Sequence, residues 1–522
     1  MAATEGTLTP REVTYEEIAT APKEPQNWLT YSGDYRAWRN SALEQVNKRN
    51  VKQLGLQWVF NNGQTGKLEA TPLVIDGIMY VPLLNNEVYA LDARTGREIW
   101  AYRRPSVLRS PPHINGPISR GVAVFGGRIY LATLDAYVVA LDAHTGTLVW
   151  ETKAAEPSQG YYFTLAPLAV KDKIVVGVSG GEYGIRGFID AYDAATGKLA
   201  WRFHTIPGPG EPGNETWKGD TWKTGGGPAW VTGTYDPGLN LIYWGVGNPG
   251  PDYYGKEREG DNLFSNSVVA LDADTGTLRW HFQFTPHDVD DYDATVVPVL
   301  LDASVDGRRR KLLIEANRNG FFYVLDRERG TFLLAKPFVR VTWAKGIAPD
   351  GRPILSNDPQ LTESSRQVCP GLFGGTNWQS PSYSPQTGLF YFTRRDECLI
   401  HLPKATPYKA GDLFWGGGSK SIPDGETPSG AVMALNPLTG DKKWEFRHFS
   451  ASWAGVLTTA GDLVFSGDTE GYFMALNALT GQVLWRASLG GPITAAPITY
   501  SVYGKQYVAI ASRSGVFAFA LP

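Results

Sequence analysis

Residues 90–100 read ALDARTGREIW: an apolar pair, Asp, two variable residues, Thr-Gly, and Trp four positions after the Gly. Five further copies end in Trp, at residues 140–150, 191–201, 270–280, 434–444 and 475–485, the last two with Asn in place of Asp. A degraded copy, VLDRERGTFLL, occupies residues 324–334. Self-similarity at such spacings is typical of repeat architectures whose units bury their faces against neighbouring units.

Each copy predicts a strand, a tight turn and a second strand, because apolar runs flank a corner of turn-forming residues. The Gly of the corner supplies the positive φ that the turn needs. Further short strands precede most copies, as at residues 70–75 and 78–82 before the first. Units of about four antiparallel strands arranged radially form a β-propeller. Parallel β-helix repeats are far shorter and helical repeats have a 3.6-residue period, and the sequence shows neither.

The sequence therefore predicts an all-β fold, a single eight-bladed β-propeller domain over residues 1–522 with a tryptophan-docking type of blade motif. Seven corners, plus a blade with a strand at residues 389–394 and no recognisable corner, give the count of eight, and seven blades remain an alternative. We expect a strand at about residues 54–60 to close the ring against a last strand at about 515–522. A helical stretch is expected at residues 41–50.

Composition and charge exclude some classes of function. The 49 Lys and Arg against 52 Asp and Glu give a net charge of −3, which provides no basic field for nucleic acid. No apolar run is long enough to predict a membrane span. The polar start of the chain lacks the regions of a signal peptide, and a processed exported protein with an added Met would look the same. No Cys-x-x-Cys-His motif is present for attaching a c-type haem.

Two cysteines, Cys369 and Cys398, are the only ones in the chain. Two buried thiols and a disulfide in an exported protein are both compatible with this number and spacing.

Long insertions interrupt the repeats, and loops on a rigid scaffold usually carry the chemistry. Three segments hold unusual polar groups: GVSGGEYGIRG at residues 177–187, YWGVGNPGPDYY at 243–254 and TPHDVDDYDAT at 285–295. The last has four carboxylates within six residues, which repel one another unless solvent, arginine or a cation relieves them. Carboxylate and amide oxygens are the ligands of hard cations. A solvated acidic turn, a Glu182–Arg186 pair and a turn at Asn248 remain open alternatives.

With these segments, nearly the whole chain resembles the quinoprotein alcohol dehydrogenases, periplasmic eight-bladed propellers that bind pyrroloquinoline quinone (PQQ) and a metal ion at the ring's centre. The corner motif is similar to the blade motif of that family, which non-enzymatic relatives share. The resemblance implies oxidation of alcohols, by default primary ones, to aldehydes or ketones, with electrons passed to a separate cytochrome c. A homodimer is left open. A non-catalytic scaffold and a quinoprotein acting on sugars or polyols are the competing functions.

The resemblance also implies roles for individual residues. Glu182, Asn248 and Asp291 would be metal ligands, with Asp291 also the catalytic base and Arg318 a donor to the quinone oxygens. The residues that would hold or enclose PQQ are Glu69, Arg120, Thr164, Ser179, Trp230, Asn377 and Trp453, with Trp230 stacked flat on the cofactor. Cys369 and Cys398 would form a family disulfide. Core packing for the tryptophans, a surface ion pair for Arg318 and turn caps for Thr164 and Ser179 are the structural alternatives.

Two departures from the family pattern modify this expectation. Ile114 and Asn115 stand where many members have two adjacent cysteines, so that disulfide cannot form here. Asp293 stands where lanthanide-dependent relatives have an additional ligand, and a trivalent ion favours one more carboxylate. A lanthanide is therefore predicted, with calcium as the alternative. Phe373, Trp378 and Trp415 are expected to line a substrate pocket larger than methanol requires.

Overall fold

Most strands of the described chain belong to eight antiparallel sheets, which we call blades 1 to 8 in chain order. The structure is a computed structural model that describes residues 10–105, 116–305, 307–356, 364–423, 425, 427–513 and 515–522. Ile114 and Asn115 lie outside the described residues. Blades 1 to 4 comprise the strands Leu73–Ile75, Ile78–Pro82, Glu87–Asp92 and Glu98–Arg103; Ala123–Phe125, Arg128–Ala132, Tyr137–Asp142 and Leu148–Lys153; Leu168–Val170, Lys173–Gly177, Phe188–Asp193 and Leu199–His204; and Thr234–Asp236, Leu241–Gly245, Ser267–Asp272 and Leu278–Gln283. Blades 5 to 8 comprise Val299–Val305, Arg308–Ala316, Phe321–Asp326 and Thr331–Pro337; Ser382–Ser384, Leu389–Asp396, Ser429–Leu435 and Lys442–His448; Leu457–Thr459, Leu463–Gly467, Tyr472–Asn477 and Val483–Ser488; and Ile498–Val502, Lys505–Ser512, Gly515–Ala520 and Gly55–Phe60.

Blade 8 joins the two ends of the chain. Its fourth strand, Gly55–Phe60, comes from the N-terminal part and pairs antiparallel with Gly515–Ala520. The predicted propeller and its eight blades are confirmed, but the assignment of one blade was wrong. The strand predicted at residues 389–394 is the second strand of blade 6, which carries the corner at 434–444. An insertion separates it from its partner strand, and the blade without a corner copy is the closing one.

The helix expected at residues 41–50 is absent from this described segment. Asn40–Ser41 instead pairs in parallel with Leu457–Thr459 at the edge of blade 7. Side chains of the following turn bond to the backbone, since Asn47 N donates to Asn50 Oδ1 and Asn50 Nδ2 donates to Gln45 O. Such local hydrogen bonds compete with a helix.

The remaining elements are short. The helices are the α-helix Tyr15–Ala19 and the 3₁₀ segments Ala21–Lys23, Val51–Gln53, Leu84–Asn86, Pro157–Gln159, Gly181–Tyr183, Asn214–Thr216, Thr221–Thr224 and Lys256–Arg258. Two small sheets are inserted between and within blades 5 and 6: Ala344–Ile347 with Pro353–Leu355, and Arg366–Val368 with Leu399–Pro403 and Gly417–Ser421. None of the helices in the described part of the chain has the length and apolar character that a membrane crossing requires.

The corner motif explains how neighbouring blades join. The indole N–H of seven tryptophans donates to a carbonyl of the next blade over 2.9–3.2 Å, from Trp58, Trp100, Trp150, Trp201, Trp280, Trp444 and Trp485. Six of the acceptors lie in a corner. The corner Gly makes room for the ring: a Cβ on Gly276, where φ is +69°, would lie 2.5 Å from Trp201. Five of the seven motifs thus supply both the indole of one joint and the socket of another, whereas the copy at 324–334 supplies only a socket and the copy at 434–444 only an indole.

The antiparallel order places loops on two opposite faces. Connections from the first to the second strand and from the third to the fourth leave one face, which holds the repeated corners and which we call the corner face. Connections from the second to the third strand, and from the fourth strand to the next blade, leave the opposite face. We call this the site face, because all of the candidate site residues lie on those connections or at their edges.

Candidate active site

Four of the residues predicted to hold the cofactor form one connected polar chain on the site face. Glu69 Oε2 lies 2.5 Å from Arg120 Nη2, and Arg120 Nη1 donates to Thr164 Oγ1 over 2.7 Å. Thr164 Oγ1 lies 3.1 Å from Ser179 Oγ. Connections of blades 8, 1, 2 and 3 supply the four side chains in that order. They bond to one another across blades and are buried, so they are not simple turn caps.

Aromatic rings lie beside this chain. The Arg120 guanidinium carbon is 4.6 Å from the centroid of the Trp230 ring. Trp378 and Trp453 stack in parallel, with centroids 4.4 Å and planes 4° apart. Asn377 Oδ1 accepts from the backbone N–H of Trp378, so the predicted pocket-closing residues Asn377 and Trp453 are both connected to this stack. Trp230 lies 6.4 Å from Trp378 at an angle of 59°.

Several buried donors in this region lack a protein acceptor among the residues that the structure describes, including Arg120 Nε, Arg395 Nε and the indole N–H of Trp378. A buried donor without an acceptor costs on the order of 1–3 kcal/mol. Aromatic faces, a buried arginine and unused donors together fit a planar, polyanionic group such as PQQ.

The acidic segment is buried and is not a solvated turn. Asp288, Asp290 and Asp293 are at most 6 % exposed, and the Asp291 side chain is 15 % exposed. Arg318 is also buried and joins two of them: Nη1 donates to Asp293 Oδ2 over 2.7 Å and Nη2 to Asp291 Oδ2 over 3.0 Å. Arg318 is therefore not in a surface ion pair.

Asp293 connects the two halves of the site. Its Oδ1 accepts from Asn248 N at 2.9 Å, and its Oδ2 accepts from Trp230 Nε1 at 3.0 Å in addition to Arg318. Asn248 and Asp293 therefore lie in direct contact. Glu182 makes no pair with Arg186, which instead bonds to Glu211.

If all of the clustered carboxyl groups were ionised, their negative charge would exceed what Arg318 can offset. Burial, with repulsion from Asp293, raises the pKa of Glu182 to about 7, although Arg318 opposes the shift. Burial raises the pKa of Asp291 well above its usual value, against the attraction of Arg318. Burial and repulsion from Glu182 and Asp293 do the same to the pKa of Asp252. A cation among these groups would relieve the penalty, which is the test that the donor set passes for a metal.

In the described residues no group of three or more His, Cys, Asp and Glu side chains already surrounds a point at ligand distance. Arg318 draws Asp291 and Asp293 toward its guanidinium instead. Asn248 and Asp293 are thus in contact, Arg318 holds Asp291 beside them, and Glu182 is close enough to feel the charge of Asp293.

Sequence reasoning missed several residues. Asp252 is 3 % exposed and accepts from Asn248 Nδ2. Lys67 Nζ lies 2.6 Å from Glu69 and 3.9 Å from the centroid of the Trp378 ring. Burial alone would raise the pKa of Asp290, but Arg366 and His401 hold it at about 2. Asp252 and Asp290 stood in segments already singled out, whereas Lys67 comes from a loop with no motif, and Arg366 and His401 lie on strands of an inserted sheet.

The insertions around blades 5 and 6 also support the site. Cys369 and Cys398 form a disulfide, as predicted. Phe373 packs edge-on against Trp453, whereas the Trp415 carbonyl accepts from Tyr253 N in the loop that carries Asn248.

Comparison with known proteins gives consistent matches. The family model described as "PQQ: Glucose/ethanol/alcohol dehydrogenase, beta-propeller domain" matches residues 28–341 and 427–508. The chain is 39 % identical to quinoprotein alcohol dehydrogenase PedH of Pseudomonas putida, covering 96 % of this chain and 89 % of that protein. It is 37 % identical to a lanthanide-dependent methanol dehydrogenase of Methylacidiphilum fumariolicum, covering 96 % and 87 %.

Solved structures agree with these matches. A europium-containing methanol dehydrogenase superposes with a TM-score of 0.90 at 36 % identity, covering 96 % of this chain and 92 % of that one. The quinohemoprotein alcohol dehydrogenase of Comamonas testosteroni superposes with a TM-score of 0.92 at 37 % identity, covering 98 % and 82 %.

Proposed function

Because this chain belongs to the PQQ-dependent glucose/ethanol/alcohol dehydrogenase family of β-propellers, we propose that it oxidises primary alcohols with PQQ and a lanthanide ion. The carrying observation is the contact of Arg318 with both Asp291 and Asp293, beside the Trp230 ring. This contact puts a candidate base, a cation-binding group and the cofactor's aromatic neighbour within one cluster.

Asp291 is the base of the proposed mechanism. Its carboxylate removes the hydroxyl proton of the alcohol while the carbon gives up hydride, which yields an aldehyde. When bound, PQQ supplies the electron acceptor, and the metal ion supplies Lewis acidity. Arg318 holds Asp291 in place and offers N–H groups to negative charge that develops beside it.

The polar chain and the aromatic rings hold the cofactor. Arg120 and Glu69, with Thr164 and Ser179, bind its carboxylates and ring polar atoms. Trp230 supports a flat face, and Asn377 and Trp453 close the pocket. Trp230 is fixed by its hydrogen bond to Asp293, so cofactor and metal positions are coupled through one side chain.

Glu182, Asn248, Asp291 and Asp293 are the proposed metal ligands. A lanthanide is favoured over calcium because the site gathers several buried carboxylates around one arginine, and a trivalent ion compensates their repulsion best. Asp293 Oδ1 and Asp291 Oδ2 each accept one hydrogen bond and keep a lone pair for an ion, whereas Asp293 Oδ2 already accepts from both Arg318 and Trp230.

Further proposals follow from the family. We propose that electrons pass to a separate cytochrome c in the periplasm, as the family resemblance implies. We also propose that residues 1–522 act as one domain and that a homodimer is the assembly to test by light scattering.

The test is dye-linked ethanol oxidation by metal-stripped protein supplied with PQQ and either La³⁺ or Ca²⁺. We expect activity with La³⁺. We expect the Asp293→Ala variant to lose this La³⁺-dependent activity. Activity with Ca²⁺ alone would reject the lanthanide site. Failure to take up PQQ with either ion would contradict the enzymatic proposal, and faster turnover of aldoses than of ethanol would contradict the substrate class.

A further inference from the structure

We propose that Asp252 is a positioning residue of the cation site, which orients the Asn248 amide toward the ion and strengthens the preference for a trivalent ion. The inference rests on the proposed function, because it assumes that Asn248 is a ligand. The family resemblance assigns no role to Asp252.

The orientation follows from the hydrogen bonds of the Asn248 side-chain nitrogen. Nδ2 donates to Asp252 Oδ1 over 2.9 Å and, over a longer 3.4 Å, to Pro249 O, and Asn248 and Asp252 are both buried. The amide nitrogen and oxygen diverge from a trigonal carbon, so a fixed Nδ2 turns Oδ1 away from Asp252. Asn248 N meanwhile donates to Asp293, which fixes the backbone on the side of the carboxylate cluster. An amide flip would replace a donor with an acceptor beside a carboxylate and is therefore disfavoured.

The backbone around Asp252 is held on both sides. Arg258 is fully buried, and its Nη2 donates to Pro251 O over 3.1 Å and also to Asp288 O. Its Nη1 donates to Asn262 Oδ1 over 2.8 Å. On the other side, Tyr253 N donates to Trp415 O. These bonds connect the loop of Asn248 to the acidic segment. The acceptors of Arg258 in them are backbone carbonyl oxygens and the side-chain oxygen of Asn262.

The charge of Asp252 accounts for the proposed preference of the site for a trivalent ion. At a given distance, attraction between a carboxylate and a trivalent ion is half again as large as for a divalent ion. Each buried carboxylate near the ion therefore favours La³⁺ over Ca²⁺, whether or not it is a ligand. Groups that orient metal ligands typically change metal affinity by roughly 10- to 100-fold.

The experiment measures binding of La³⁺ and of Ca²⁺ to the full chain loaded with PQQ, by equilibrium dialysis with elemental analysis. Asp252→Asn keeps an acceptor for Asn248 Nδ2 but removes the charge, and Asp252→Ala removes both. Asp261→Asn is the matched control, since Asp261 lies on the same loop but pairs with Arg352 at the surface. Circular dichroism and thermal unfolding establish that each variant is folded.

We expect Asp252→Asn to lose roughly 10-fold or more of its La³⁺ affinity and less of its Ca²⁺ affinity, so that the La³⁺/Ca²⁺ ratio falls. Asp252→Ala should lose affinity for both ions, and Asp261→Asn for neither. An unchanged ratio in a folded Asp252→Asn protein would overturn the inference. Failure of the unmodified protein to bind either ion would instead count against the proposed function.

Discussion

The corner face and the site face are built by the same strands, yet their loops differ in kind. On the corner face the same short turn recurs, and every copy except the one at residues 434–444 receives the tryptophan of the preceding blade. On the site face no two loops are alike, and they hold buried carboxylates, arginines and stacked aromatic rings. Repetition on one face supplies the joints between blades, and this leaves the loops of the other face free to diverge.

The joint between blades 5 and 6 lacks the docked tryptophan that the other joints contain. Leu334 of blade 5 occupies the register position of the docking tryptophan, as its pairing with Val324 matches that of Trp280 with Ala270. At this joint Lys336 pairs with Asp441 of blade 6 instead. At the blade 5–6 joint an exposed ion pair thus stands where the other joints dock an indole, while Phe322 packs against Phe390 deeper in the joint.

The largest expected effect is on catalytic activity, and it compares a substitution on the site face with one on the corner face. Asp291→Asn removes the proposed base while keeping its shape, and Asn tolerates the positive φ of 62° that this position adopts. We expect kcat to fall by roughly 10²- to 10⁴-fold, with little change in Tm. Steady-state kinetics of ethanol oxidation measure the change in kcat. Asp274→Asn, at a corner and paired with Lys171, is the control and should keep full activity. Comparable activity in both variants would contradict the role of Asp291.

The next effect concerns stability and compares two corner glycines. Gly276 and Gly440 have φ of 69° and 66°, so replacement by Ala strains both backbones alike. A Cβ on Gly276 would lie 2.5 Å from the Trp201 ring, whereas one on Gly440 would lie no closer than 3.1 Å to its nearest neighbour, Lys336 Cβ. We expect Gly276→Ala to lower the free energy of unfolding by about 1–3 kcal/mol more than Gly440→Ala does. Denaturant unfolding measures the difference, and equal losses would show that docking of the indole is not what the glycine serves.

The smallest effect tests buried charge at the site face. Burial raises the pKa of Glu315 to about 8, above the value of about 4.5 that it has in the unfolded chain. From pH 4.5 to 8 the unfolded chain loses this proton while the folded chain keeps it, so stability falls as pH rises through that window. Glu315→Gln should therefore raise Tm at pH 8 and change it little at pH 4.5. An equal shift in Tm at both pH values would contradict a neutral Glu315.

The fold could be predicted because each corner repeat encodes a strand, a tight turn and a second strand within one short stretch of sequence. It assigned residues 389–394 to a blade of their own because an insertion hides the partner strand 429–435. The helix expected at 41–50 was wrong, since asparagine side chains stabilise turns there. The candidate residues could be named in chain order, but their roles were implied by a resemblance. The contacts of Lys67 with Trp378, of Arg366 with Asp290 and of Asp252 with Asn248 depend on which loops meet, which spacing does not encode.

The most direct test of the central claim is anomalous diffraction from crystals of the protein loaded with PQQ and La³⁺. We predict one strong peak on the site face, with oxygen atoms of Glu182, Asn248, Asp291 and Asp293 at roughly the 2.3–2.6 Å typical of hard cations. A bound ion on the site face with none of these oxygens as ligands, or a peak on the corner face alone, would contradict the account.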